Sequence, residues 1–141
     1  MKRTATAVWN GSGKEGSGKL STQSNALKQT QYSYKSRFEE GVGTNPEELL
    51  AAAHAGCYSM KLSFLLGSAG FVPDSIETTS AVSLEDGVIK TSQLTVKARV
   101  PGINAERFQQ CAEDAKNNCP VSKALNLKIS MDASLVSQVL S

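Results

Sequence analysis

Apolar and polar residues alternate through the first part of the chain. Ala5, Ala7 and Trp9 interleave with Thr4, Thr6, Val8 and Asn10, the period of two expected of a strand. Gly11-Ser12-Gly13-Lys14-Glu15-Gly16-Ser17-Gly18 supplies glycines for a long hairpin loop. A second strand is predicted from about Lys19 to Ser24 and a third through Gln31–Phe38. On the third, Tyr32, Tyr34 and Phe38 share one face, and Lys35 and Arg37 the other. The glycine-serine loop is too short and too early to separate domains, so residues 1–141 read as a single domain.

The pattern then changes. Thr44 or Asn45 can cap a helix, Pro46 suits its first turn, and Glu47 and Glu48 complete a capping box and meet the positive end of the helix dipole. The helix should run from about Pro46 to Ser68. Leu50, Ala53, Cys57, Met60 and Phe64 form a stripe at helical spacing, while Leu49, Ala52, Gly56 and Leu62 fill other faces. Such a helix should be buried nearly all round, and in a domain this small a second subunit is the easiest source of full cover.

Beyond Phe71-Val72-Pro73, Ile76–Leu84 and Val88–Val100 flank Asp86-Gly87, a strong hairpin signal. Pro101-Gly102 ends the second of these strands. Asn104 caps a helix whose apolar side is Phe108, Cys111, Ala112, Ala115 and Cys119. Pro120 disfavours helical geometry at Cys119, so that thiol should sit at a helix end. A short helical turn over Val121–Leu125 and a last strand over Leu127–Leu135 complete an α+β chain.

With 15 Lys plus Arg against 13 Asp plus Glu, the net charge is only +2, too little for an electrostatic footprint on nucleic acid. The three cysteines, Cys57, Cys111 and Cys119, are too few and too irregular for a secreted disulfide scaffold. The start Met1-Lys2-Arg3 leads into no unbroken apolar core of the kind a signal peptide needs. The uncharged stretch Leu49–Met60 is too short to span a bilayer. The expected location is the cytoplasm, with reduced thiols and no membrane partner.

Cys57 on the apolar helix and Cys119 at a helix end then stand out as a nucleophile and a resolving partner. A nucleophilic thiol must ionise, and Cys57 lies too deep in its helix for the dipole to help. Arg37, shortly before the helix, is the best cation, and Glu47 or Glu48 could hold its guanidinium in a forked pair. Glu47 is about 15 Å from Cys57 along the same helix. Either Arg37 spans part of that gap or Glu47 approaches the cysteine of a partner subunit, which is the preferred reading. The blander alternatives are a small core residue for Cys57, an incidental helix end for Cys119, a solvated Arg37 and glutamates that only cap. Cys111 reads as core. His54 could serve a thiol as base, but a hydrogen-bonded packing histidine is the commoner case. The cysteines and the histidine lack zinc-site spacing, and no serine-hydrolase elbow is present.

Arg37-Phe38-Glu39, Gly43-Thr44-Asn45-Pro46-Glu47-Glu48-Leu49, Ala52-Ala53-His54-Ala55-Gly56-Cys57-Tyr58-Ser59-Met60 and Cys119-Pro120-Val121-Ser122 resemble the OsmC/Ohr family of thiol peroxidases, and the likeness covers essentially the whole chain. It implies an intertwined homodimer in which antiparallel sheets wrap two central helices. It implies reduction of organic hydroperoxides, and less well of hydrogen peroxide, without metal, haem or flavin. Matched position by position, Cys57 would be peroxidatic, Cys119 resolving, Arg37 the activating arginine and Glu47 its carboxylate partner. A dithiol reductant would restore the thiols, and lipoylated proteins serve the Ohr branch in this way. His54 and the glycine-serine loop favour the OsmC branch. The rival readings are a non-catalytic dimer holding a small hydrophobic ligand, and a thiol redox sensor.

Overall fold

In the first part of the chain, backbone pairing follows the alternation. The computed structural model describes residues 1–38 and 42–136, without the side chains of Arg37 and Phe38, and divides into two compact units, Met1–Leu49 and Leu50–Ser141. In the first unit, β1 (Ala5–Asn10), β2 (Ser17–Thr22) and β3 (Thr30–Tyr32) form an antiparallel sheet in sequence order. Gly18 faces Trp9 on one neighbour and Tyr32 on the other, and the two rings meet with centroids 5.4 Å apart. A side chain at Gly18 would run into both rings.

The predicted third strand is cut short. It ends at Tyr32, and Tyr34–Phe38 forms a short helix, α1. The reason is a reciprocal cap. The Ser36 amide donates to Ser33 Oγ at 3.3 Å, and the Ser33 amide donates to Ser36 Oγ at 3.0 Å, so both orphan donors are satisfied once the chain turns helical. Arg37 therefore lies on a helix rather than on a strand. Further on, Gly43 has φ +96°, and a Cβ there would collide with the Gln31 carbonyl. This close approach lets the Thr44 amide donate to Gln31 O at 2.9 Å.

Asn45 caps the next helix, α2 (Pro46–Ser68), accepting the Glu48 amide at 2.8 Å, while the Thr44 hydroxyl donates to the Glu48 carboxylate at 2.7 Å. Both predicted helix bounds hold. By length and composition α2 could cross a membrane, but His54, Tyr58, Leu62 and Leu66 are fully buried within this chain. These positions, four residues apart, are not the stripe predicted from Leu50, Ala53, Cys57, Met60 and Phe64. Met60 is 64% exposed and Phe64 70%. Because α2 is apolar on both sides, periodicity alone does not choose which side the chain covers.

In the second unit, β4 (Ser75–Glu85) and β5 (Val88–Arg99) form the expected hairpin, turning through Asp86 and Gly87 at φ 52° and 75°, as a primed two-residue turn requires. Then α3 (Ala105–Asn118) and α4 (Pro120–Ala124) carry the chain across to β6 (Lys128–Leu135). Antiparallel pairing dominates the fold, but β6 joins β5 in parallel, so β5 is central. Ser92, Leu94, Val96 and Ala98 of β5 are all fully buried on one face. The core combines this face with Tyr58, Leu62 and Leu66 of α2 and with Phe108, Cys111, Ala112 and Ala115 of α3. Tyr58 Oη donates to Ala112 O at 3.1 Å, tying α2 to α3. Leu66→Ala should cost about 2–5 kcal/mol in urea unfolding, whereas a cost near zero would show that the α2 face is not core.

Candidate active site

Cys119 stands where two helices meet. It is both the last cap of α3 and the first cap of α4, with extended φ and ψ of −66° and 140°, as its proline neighbour demands. Its amide donates to Ala115 O at 3.0 Å, and its sulfur accepts the Ser122 amide at 3.3 Å. The side chain is completely buried. From the fourth turn of α2, Cys57 reaches the same place, where its thiol and that of Cys119 interact. Both thiols are free, with Cys57 partly exposed. Two cysteines remote in sequence are thus brought together, one open to solvent and one behind it. Cys111, 8% exposed, packs in the core.

The electrostatics at Cys57 do not favour the thiolate. Burial pushes its pKa up, and so does the neighbouring Cys119 thiol. A backbone hydrogen bond from Val121 and the charge of Lys61, one turn along α2, pull it down but do not outweigh burial. Sequence reasoning missed Lys61 and the Val121 amide. Glu47 is half-buried in the first turn of α2, far along that helix from Cys57. Arg37 lies on α1, and its side chain is outside the described residues.

His54 is completely buried, one turn before Cys57 and Tyr58 on α2. Its Nδ1 is 2.7 Å from Ser92 Oγ on β5, and its Nε2 is 2.8 Å from Ser122 Oγ on α4. Ser122 Oγ in turn lies 3.1 Å from Cys119 Sγ, and Ser92 Oγ 2.8 Å from Ser80 Oγ. One ring therefore ties the sheet, α2 and the Cys119 junction together. The serines were missed as site residues. The available signals were Ser92 occupying an apolar position in the alternation of β5 and Ser122 sitting three residues after Cys119.

Burial lowers the His54 pKa, so the imidazole is neutral in the folded protein. In the unfolded chain it returns to about 6.5 and binds a proton that the native ring refuses. Stability is therefore predicted to fall as pH drops below about 6.5 toward the lowered native value. His54→Gln should flatten that slope in urea midpoints measured across the window, and an unchanged slope would contradict the assignment.

Residues 39–134 match the model of a family described as OsmC-like protein. The chain is 47% identical over 141 residues to a peroxiredoxin OsmC of Escherichia coli strain K12, covering 97% of this chain and 99% of that protein. Among solved structures, an OsmC-like protein from Mycoplasma pneumoniae superimposes with a TM-score of 0.77 at 16% identity, covering 97% of this chain and 99% of that one. The organic hydroperoxide resistance protein OhrB of Bacillus subtilis gives a TM-score of 0.66 at 23% identity, covering 93% and 98%. These two share the α+β fold seen here. With its family match spanning the cysteine helix and the Cys119 junction, and with near full-length identity to a curated relative, this chain belongs to the OsmC family.

Proposed function

We propose that this protein is a cysteine-based peroxidase that reduces organic hydroperoxides, and hydrogen peroxide less well. The observation that carries the reading is the pair of free thiols, partly exposed Cys57 against buried Cys119. The 47% identical E. coli relative is named a peroxiredoxin. In the cycle, Cys57 thiolate attacks the distal oxygen of ROOH, the O–O bond breaks, and the alkoxide leaves as alcohol after taking up a proton. Cys57 becomes a sulfenic acid. Cys119 then forms a bond to Cys57 Sγ and displaces the oxygen as water, and a dithiol reductant, a lipoylated protein being one class, restores both thiols.

A peroxidatic thiol must ionise, yet burial holds that of Cys57 up and Lys61 alone does not reverse it. The missing cation is assigned to Arg37, with Glu47 orienting its guanidinium. The exposed apolar face of α2, with Met60 and Phe64 at its centre, is assigned to a second copy of the chain, giving a homodimer whose cover also excludes water from the thiols. The working location is the cytoplasm, where reduced thiols are available.

With tert-butyl hydroperoxide and dihydrolipoamide, Cys57→Ser should lose turnover and Cys119→Ser should stop after a single one. Arg37→Ala should slow peroxide reduction by about 10²–10³. Multi-turnover activity in Cys57→Ser would refute the reading. Phe64→Glu should convert the dimer to monomer in sedimentation, and an unaltered mass for this variant would remove that face from the interface.

A further inference from the structure

The peroxidase cycle places a chemical demand on Cys119 that the cation assigned to Cys57 does not meet. To attack the Cys57 sulfenic acid it must lose its proton, but it is completely buried and bulk solvent cannot take that proton directly. We propose that Ser122 is a catalytic residue and His54 its positioning base, together forming a proton relay that deprotonates the resolving cysteine; this rests on the peroxidase reading above.

The geometry is a continuous line of hydrogen bonds. Cys119 Sγ lies 3.1 Å from Ser122 Oγ, Ser122 Oγ lies 2.8 Å from His54 Nε2, and His54 Nδ1 lies 2.7 Å from Ser92 Oγ, which is 2.8 Å from Ser80 Oγ. With one hydroxyl proton, Ser122 can serve both neighbours only by accepting from one and donating to the other. In the resting order, Cys119 S–H donates to Ser122 Oγ, the Ser122 hydroxyl donates to Nε2, and Nδ1–H donates to Ser92. A shift of two protons along this line gives Cys119 thiolate, which now accepts from the Ser122 hydroxyl and already accepts the Ser122 amide at 3.3 Å. It leaves His54 as imidazolium, donating from both nitrogens.

The step balances without a further reactant. The Cys119 proton passes to Ser122 Oγ as the hydroxyl proton of Ser122 passes to His54 Nε2. The Cys119 electron pair forms the bond to Cys57 Sγ, the S–O bond of the sulfenic acid breaks, and the departing hydroxide takes up, as water, the proton that His54 gives up, which resets the line. Burial is what keeps the ring neutral and ready to accept. The titratable groups on the surrounding elements are Cys57 and Tyr58 on α2 and Cys119 itself; Lys61 acts on Cys57, and Glu113 and Cys111 of α3 act on Tyr58. From β5 and α4 the ring meets only hydroxyls.

The test is a single-turnover experiment with cumene hydroperoxide, following decay of the Cys57 sulfenic acid against pH. In the wild type, resolution should slow as pH falls through the His54 titration below about 6.5. Ser122→Ala should slow resolution tenfold or more and abolish this limb. Ser122→Thr, which keeps the hydroxyl, should restore the wild-type profile, and His54→Gln should lose the acid limb while circular dichroism shows a folded chain. If the wild type forms and resolves its sulfenic acid but Ser122→Ala does so at the same rate with the same profile, the relay is wrong and the peroxidase reading stands. If the wild type forms no sulfenic acid at all, both fall.

Discussion

A neutral histidine with no exposed surface holds the site together. His54 comes from α2, Ser92 from the central strand β5, and Ser122 from the turn after Cys119, and both ring nitrogens are hydrogen-bonded at 2.7–2.8 Å. A buried polar group left without such partners costs about 1–3 kcal/mol, so these contacts fix the rotation of α2 on the sheet and the position of the α3–α4 junction together. Any rotation of α2 that withdrew Cys57 from Cys119 would also break them. The meeting of the two thiols thus depends on a polar contact within an otherwise apolar core.

The same arrangement divides the labour between the cysteines. Cys57, partly exposed on the helix face that turns from core to solvent, can meet a peroxide. Cys119, capped between two helices and shut from solvent, is held against Ser122 and lies behind Cys57. The apolar core that makes this division possible also opposes ionisation of Cys57. The proposed cationic partner at one cysteine and the proposed proton route at the other are two answers to the same burial.

Much of this could be read in the sequence, where local rules were strong. The Asn45-Pro46 start of α2, the Asp86-Gly87 turn and the Cys119-Pro120 helix end each have a short-range cause, and each appears as expected. The third strand failed because the Ser33–Ser36 cap outcompetes an alternation that reads equally well as extended chain. Which side of α2 this chain itself covers was not legible because apolar residues occupy both of its sides, and what chooses between them is the distant partner, β5. The serine and histidine line was missed for a related reason: its members lie on four separate elements, and only the fold makes them neighbours.

The central claim is that peroxide oxidation ends in a bond between Cys57 and Cys119. The most direct measurement is peptide mass spectrometry after one equivalent of organic hydroperoxide, without reductant. The account predicts a linked Cys57–Cys119 peptide, with Cys111 still a free thiol. Oxidation confined to Cys57 as sulfinate, with Cys119 reduced, would contradict it.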